Sequence, residues 1–387
     1  MIKKYTKKDG STAYMFKAYL GTDSDGKQRF TTRRGFSTKK EATLELSRLK
    51  VDISKNGFKK SDKLTFQQVY DLWVVNYELT VKESTFVKQT EQYKVHILPF
   101  FGECLISKIT PAMVQKFANE KVTKFARYRE FISNTSRIFE YAIKLKLINS
   151  NPCKSITIPK AKKDVGKKKR ENYFSREEML IFLNALEKHE NKKIATFFRV
   201  LAMSSARMGE ILGLEWSSVN FKENYISITQ TLARGKNRRL YLEEPKTNSS
   251  ARDIPLDKTT MDWLKVWRKE QREELLVTGH NSLQPNQLVF SSALNNSFIQ
   301  LSKPRNWLLT ILKQEKLKPI TIHGLRHSGA VMMLESGLTL KDIQDRLGHS
   351  DISVTSAHYL HISEKRKRET VAQMADYINT GSITGSK

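Results

Sequence analysis

The run from Lys160 to Arg170 constrains the fold more than any other stretch of this chain. Seven of its residues are Lys or Arg, one is glycine, and no apolar residues recur at helical spacing. Such a run is solvated and extended rather than packed. The chain must therefore fold as separate units on either side of it. The excess is general: 68 Lys and Arg against 40 Asp and Glu give a formal net charge of +28 over 387 residues. So large a surplus of one sign opposes compaction unless a polyanion compensates it. Nucleic acid is the leading candidate, because each neutralised phosphate releases a counterion; an acidic membrane surface is the weaker one. The 39% of hydrophobic residues supplies cores for two or three domains. No apolar run approaches bilayer length, and the N-terminus lacks the apolar segment of a secretory signal. The two cysteines, Cys104 and Cys153, stand in no metal-ligand spacing. That suits a reducing cytosol and argues against a disulfide framework or a zinc finger.

Four segments are expected. Residues 1–60 form a small α+β module. Within it residues 13–20 alternate, with Tyr14, Phe16, Ala18 and Leu20 on one face. A polar turn leads to a basic second strand, Lys27 to Arg34, and Ser37 or Thr38 caps a helix reaching about Lys55. A hairpin with cationic strands plus one helix is a candidate DNA-groove reader. Residues 61–158 read as all-helical. Thr65 with Gln68 makes a capping box, a second helix spans Lys82 to Leu98 and stops at Pro99, and Thr110-Pro111 starts a third. A longer helix runs from about Thr123 to Leu147, and Asn151-Pro152 closes the unit. Residues 159–172 are the basic linker. Residues 173–387 form the largest domain, opened by a capping box of Ser175 with Glu178. It is mostly helical, with Asn224–Gln230, Arg239–Glu243 and Ala251–Leu256 as a small β-ribbon, and only Asn379–Lys387 looks low in complexity.

Polar residues that a plain fold does not need gather in four islands of the last domain. Arg207 lies where one apolar helix gives way to another, and a planar guanidinium there can hold a phosphate by two parallel hydrogen bonds. Lys246 lies in a Pro-Lys-Thr turn between two strands; alone it is an ordinary surface lysine. His323, Arg326 and His327 crowd together ahead of the apolar run Ala330 to Leu334. Two histidines suggest a metal, but no Asp, Glu or Cys lies nearby and Arg326 would repel a cation, so an anion site fits better. The fourth island holds Leu-Gly-His at His349, then Ser-Ala-His-Tyr with Tyr359.

Arg207, Lys246, His323, Arg326, His349 and Tyr359, in that order, match the signature of the tyrosine recombinases, and the chain resembles a full-length phage-type integrase. The local contexts agree: Arg207 just before Gly-Glu-Ile-Leu-Gly-Leu-Glu-Trp, Ser-x-Arg-x-Ile-Pro-Leu after Lys246, His-x-Leu-Arg-His, and Leu-Gly-His. The likeness covers essentially the whole chain and is most specific over residues 175–365. The first sixty residues resemble an arm-type DNA-binding module. One point departs from many members: Tyr359 follows His349 by ten residues rather than nine, and Tyr377 is the only later alternative.

The resemblance implies a multidomain, mainly α architecture: an arm-binding module, a helical core-binding bundle and a mixed catalytic domain, the last two closing as a clamp around DNA. It implies a site-specific recombinase that integrates and excises a phage or other mobile element through a 3′-phosphotyrosine. Tyr359 would be the nucleophile, Arg207 and Arg326 the phosphate clamp, and Lys246 the general acid. His323 would accept the tyrosine proton and His349 would donate a hydrogen bond to the phosphate. No cofactor or metal is implied. The implied partners are double-stranded DNA, at core and arm attachment sites, and three further copies of the chain. An excision factor and a host DNA-bending protein are further candidates, and the implied location is the bacterial cytoplasm. The segment from Ser363 to Ile378 is a candidate for docking on a neighbouring protomer. A topoisomerase with the same chemistry, or a DNA-binding regulator without catalysis, are the alternatives.

Overall fold

In a computed structural model, residues 2–7, 10–22, 28–56, 64–160, 171–244, 251–348 and 375 are described. The chain divides into two compact units, residues 1–165 and 166–387. Among the described residues no helix is long and apolar enough to cross a membrane.

The first unit opens with an antiparallel sheet in the order β1 (Ile2–Thr6), β2 (Thr12–Thr22), β3 (Gln28–Phe36), followed by α1 (Lys39–Asn56). The expected hairpin thus has a third strand. Phe16 and Ala18 point inward as their alternation requires, against Ala42 of α1. Ala13 is buried too, off that alternation, close to a register shift that leaves Gly35 of β3 unpaired opposite Tyr14 and Met15. The opposite face carries Lys17 over the Phe30 ring, while Arg33, the cross-strand partner of Phe16, pairs with Glu45 of α1 on the covered face.

The helical part comprises α2 (Phe66–Glu78), α3 (Glu83–Gln92), α4 (Leu98–Phe101), α5 (Pro111–Lys124) and α6 (Tyr128–Lys144). The Thr65 capping box forms in full, and the Thr110 hydroxyl accepts from the Met113 amide. Two boundaries differ from expectation. Pro99 does not stop a helix. A π-type turn over Tyr93–Ile97, closed by the Leu98 amide donating to the Tyr93 carbonyl, carries the helical run on into α4, where Pro99 stands in the first turn. The long helix also begins later, at Tyr128, because α5 continues to Lys124 and Phe125 is extended. Phe66, Tyr93, Phe101, Phe117 and Phe139 are wholly buried between these helices. The Tyr93 hydroxyl, taken from water, donates to the Asn134 carbonyl at 2.7 Å.

The second unit is built around α8 (Lys192–Ser204), nine of whose thirteen residues are buried. It packs against α7 (Arg176–Glu187), α10 (Lys258–Val277) and α12 (Ile322–Glu335). The described residues also form α9 (Met208–Leu212), α11 (Lys303–Gln314) and α13 (Leu340–Leu347). Ser175 and Glu178 make the expected capping box ahead of α7. The expected single ribbon is instead two sheets. One has the order β4 (Val219–Asn220), β5 (Tyr225–Ile228), β8 (Arg252–Pro255), and the other pairs β6 (Thr231–Arg234) with β7 (Leu240–Glu243). Strands β7 and β8 are therefore not partners. The described residues flanking Lys246 lead from one sheet to the other, not up and down one hairpin.

Helix α12 approaches the end of α8 so closely that only glycine fits at Gly329. A Cβ there would lie 1.9 Å from the Ser205 hydroxyl oxygen and 3.1 Å from its Cβ. Ser205 cannot retreat, since it is buried and holds φ at +53° as the left-handed cap of α8. Gly329→Ala should therefore destabilise the second unit by about 1–3 kcal/mol, read by thermal unfolding of the purified chain.

Candidate active site

The left-handed turn at Ser205 directs the chain so that Arg207 stands at the start of α9. Its backbone amide donates to Glu210 Oε2 at 2.9 Å and its guanidinium Nη1 to Glu210 Oε1 at 2.7 Å. Arg207 Nη2 also reaches the Gly348 carbonyl at 3.4 Å. Its side chain remains 41% exposed, whereas Glu210 is only 5% exposed.

Arg326 arises from the second turn of α12. The Thr321 side chain caps that helix by accepting from the Gly324 amide, and Asn172 exchanges two hydrogen bonds with Thr321 at 2.8 and 2.9 Å. Arg326 is 2% exposed and donates to the Ser205 carbonyl at 3.1 Å and the Leu347 carbonyl at 2.7 Å. Arg207 and Arg326 thus grip neighbouring carbonyls, Gly348 and Leu347, at the end of α13. His323 lies exposed one turn before Arg326, its ring edge-on to His327 with centroids 4.6 Å apart. Among the described residues no group of three or more His, Cys, Asp or Glu could hold a metal ion.

Helix α13 ends at Gly348 in the left-handed conformation, with φ at +64°. A third arginine meets this end: Arg252 of β8 donates from Nε to the Arg346 carbonyl at 2.8 Å. Its Nη2 also donates to Glu210 Oε2 at 2.9 Å. Arg346 in turn donates to the Met203 and Pro255 carbonyls, both at 3.0 Å. Lys246, His349, Tyr359, Tyr377 and the segment 363–374 fall outside the described residues. The structure thus brings together Arg207, Arg326 and the chain's entry to His349, with His323 a turn away. Glu210, Arg252 and Arg346 were not singled out from the sequence. A signal existed for two of them: an acid three residues after Arg207, and the arginine of Ser-x-Arg-x-Ile-Pro.

Family models match residues 172–366 (phage integrase family), 65–122 (phage integrase, N-terminal SAM-like domain) and 1–53 (arm DNA-binding domain). The chain belongs to the phage integrase family. It is a site-specific DNA strand transferase of the tyrosine recombinase type. A tyrosine recombinase XerC-like protein of Caldanaerobacter subterraneus is 29% identical to it, covering 95% of this chain and 97% of that one. The ICEBs1 integrase of Bacillus subtilis is 23% identical over 94% of this chain and 97% of its own. Among solved structures, the recombinase shares its fold with the Tn1549 transposon integrase in complex with transposon right end DNA. The TM-score is 0.66 at 19% identity, over 81% of this chain and 100% of that one. It also resembles a lambda integrase tetramer bound to a Holliday junction, with a TM-score of 0.55 at 17% identity over 92% and 94% of the two chains.

Burial alone would raise the Glu210 carboxyl. The Arg252 charge, with hydrogen bonds from Arg252 and Arg207, outweighs burial and holds it below the usual glutamate range. A carboxyl depressed on folding contributes stability that is complete above its unfolded pKa of about 4.3 and lost as pH falls through the lower folded value. Acid unfolding of the second unit should therefore include a Glu210 component below pH of about 4. Glu210→Gln should flatten that acid limb and lower stability at pH 7 by about 3–5 kcal/mol, because two arginines lose their countercharge. Thermal melts of both proteins across pH provide the comparison.

Proposed function

We propose that this recombinase cuts and rejoins DNA at the ends of a mobile element through a 3′-phosphotyrosine on Tyr359. The observation that carries the assignment is the convergence of Arg207 and Arg326 on the last two carbonyls before His349. Two guanidiniums and the end of α13 then share one locus, as a site for a single phosphate requires. Tyr359 attacks phosphorus, its O–P bond forms as the bond to the 5′-oxygen breaks, and the phosphodiester energy is kept in the protein–DNA link. His323 takes the phenol proton, since tyrosine at its ordinary pKa of about 10 is protonated at neutral pH. Lys246 supplies a proton to the departing 5′-oxygen. Arg207 and Arg326 stabilise charge developing on the non-bridging oxygens, with His349 as a further donor. Attack by the 5′-hydroxyl of a partner strand reverses the step and releases the tyrosine.

Two duplexes need four protomers, so the active assembly is a tetramer on core sites, with residues 1–60 reading separate arm sites. The exposed sheet face bearing Lys17 and the basic strand β3 support that second role. Residues 61–158 and 173–387 would close on the core duplex, with 159–172 tracking the phosphate backbone between them. An excision factor and a host DNA-bending protein would complete the assembly, in the bacterial cytoplasm.

A nicked suicide duplex from the DNA flanking the gene should trap the wild-type chain covalently, visible as a shifted band on denaturing gels. Tyr359→Phe should give no adduct while retaining DNA binding; an adduct in that variant would assign the nucleophile elsewhere. Arg326→Lys should slow cleavage by about 10²-fold or more, because a point charge cannot reproduce the planar fork. EDTA should leave the wild-type rate unchanged. Inhibition reversed by added divalent metal would instead make His323 and His327 ligands.

A further inference from the structure

The proposed chemistry uses Arg207 and Arg326 but leaves Arg252 without a role. Its placement is unusual for a strand residue. Arg252 is the first residue of β8, directly after the segment that holds Lys246. Its guanidinium spans two parts of the centre. On one side Nη1 and Nη2 face Glu210 at 3.5 and 2.9 Å, and Glu210 holds the amide and guanidinium of Arg207. On the other, Nε donates to the Arg346 carbonyl, and the side chain lies across Gly348 so closely that a Cβ there would be 3.0 Å from Nη1. The Arg252 and Glu210 side chains are 8% and 5% exposed, and Arg252 already engages a carbonyl through Nε and a carboxylate through Nη2.

We propose that Arg252 is a positioning residue for strand cleavage, tying the Arg207–Glu210 pair to the carboxyl end of α13. It thereby fixes the point from which the chain enters His349. The inference rests on the recombinase reading above. Only arginine can make this joint. Its Nε and the two terminal nitrogens point in set directions, so one side chain bonds a carbonyl along one edge and a carboxylate along the other. A lysine in its place keeps the charge near Glu210 but cannot hold both partners. The expected consequence is misplacement of reacting groups by an ångström or so, with the DNA-binding surface unaltered.

The test compares Arg252→Lys with the wild-type full-length chain in three measurements. Hydrogen–deuterium exchange without DNA, followed on peptides covering residues 340–348, should be faster in the variant. Affinity for the suicide duplex should stay within about twofold, while single-turnover cleavage at saturating protein falls by about 10- to 100-fold. The double variant Arg252→Lys/Glu210→Gln should cleave no more slowly than the slower single variant, because both changes break one tie. Wild-type exchange over α13, or cleavage that falls only in proportion to binding, would overturn the proposal; so would additive losses in the double variant. If Arg252→Lys folds poorly, Arg252→Gln, which leaves the Arg207–Glu210 pair in place, provides the same exchange and cleavage comparison. Failure of the wild-type chain to form an adduct would sink the recombinase reading instead. In that event the exchange measurement still judges the tie on its own.

Discussion

The last carbonyls of a helix have no amide partners within it and carry the negative end of its dipole. At α13 that demand is met by three arginines from three separate parts of the second unit. Arg252 takes the Arg346 carbonyl, Arg326 that of Leu347 and Arg207 that of Gly348. Arg346 closes the arrangement in the other direction by donating to Met203 and Pro255. A helix of eight residues has little stability of its own. Its location is set by what binds its end, and so the position of Gly348 depends on residues drawn from 207 to 326.

Gathering guanidiniums is electrostatically unfavourable, and the one carboxylate paired with them among the described residues cannot neutralise them. Glu210 lies against Arg207 and Arg252, and peptide dipoles supply the remaining compensation. The described residues of the locus consequently carry a surplus of positive charge, a local version of the +28 carried by the whole chain. The surplus is tolerable because the donors are satisfied by carbonyls that cannot move far. In the proposed reaction, a site built this way is organised for an anion before the anion arrives, so reorganisation adds little to the barrier.

The parts legible in the sequence were those decided within a few residues. Thr65 with Gln68 and Ser175 with Glu178 form the capping boxes their spacing requires, because both partners sit in one turn. The inward positions of Phe16 and Ala18 follow from strand alternation in the same way. What escaped was decided between distant segments. Thr231–Arg234 has no strong strand signature, and its pairing with Leu240–Glu243 separates that strand from the one beginning at Arg252. Glu210 and Arg252 are 42 residues apart, and neither announces its partner. Pro99 was misread for a related reason: a proline that ends one helix and one that starts the next look alike until the π-type turn before it is seen.

Arg207 and Arg326 carry the same chemistry in the signature but are held in opposite ways. Arg207 is fixed through a carboxylate and leaves 41% of its side chain exposed. Arg326 is fixed through two carbonyls and is almost wholly buried. In the proposed reaction this gives them unequal tasks. Arg207 meets the phosphate from the solvent side. Arg326 forms the floor of the site and couples phosphate contact to the Ser205 turn and the α13 end that it already binds. Replacing Arg326 removes a charge and also a strut between two backbone segments, whereas replacing Arg207 leaves that strut intact. The second unit thus joins its fold and its proposed catalysis at Arg326, and the close approach at Gly329 on the same helix keeps the two inseparable.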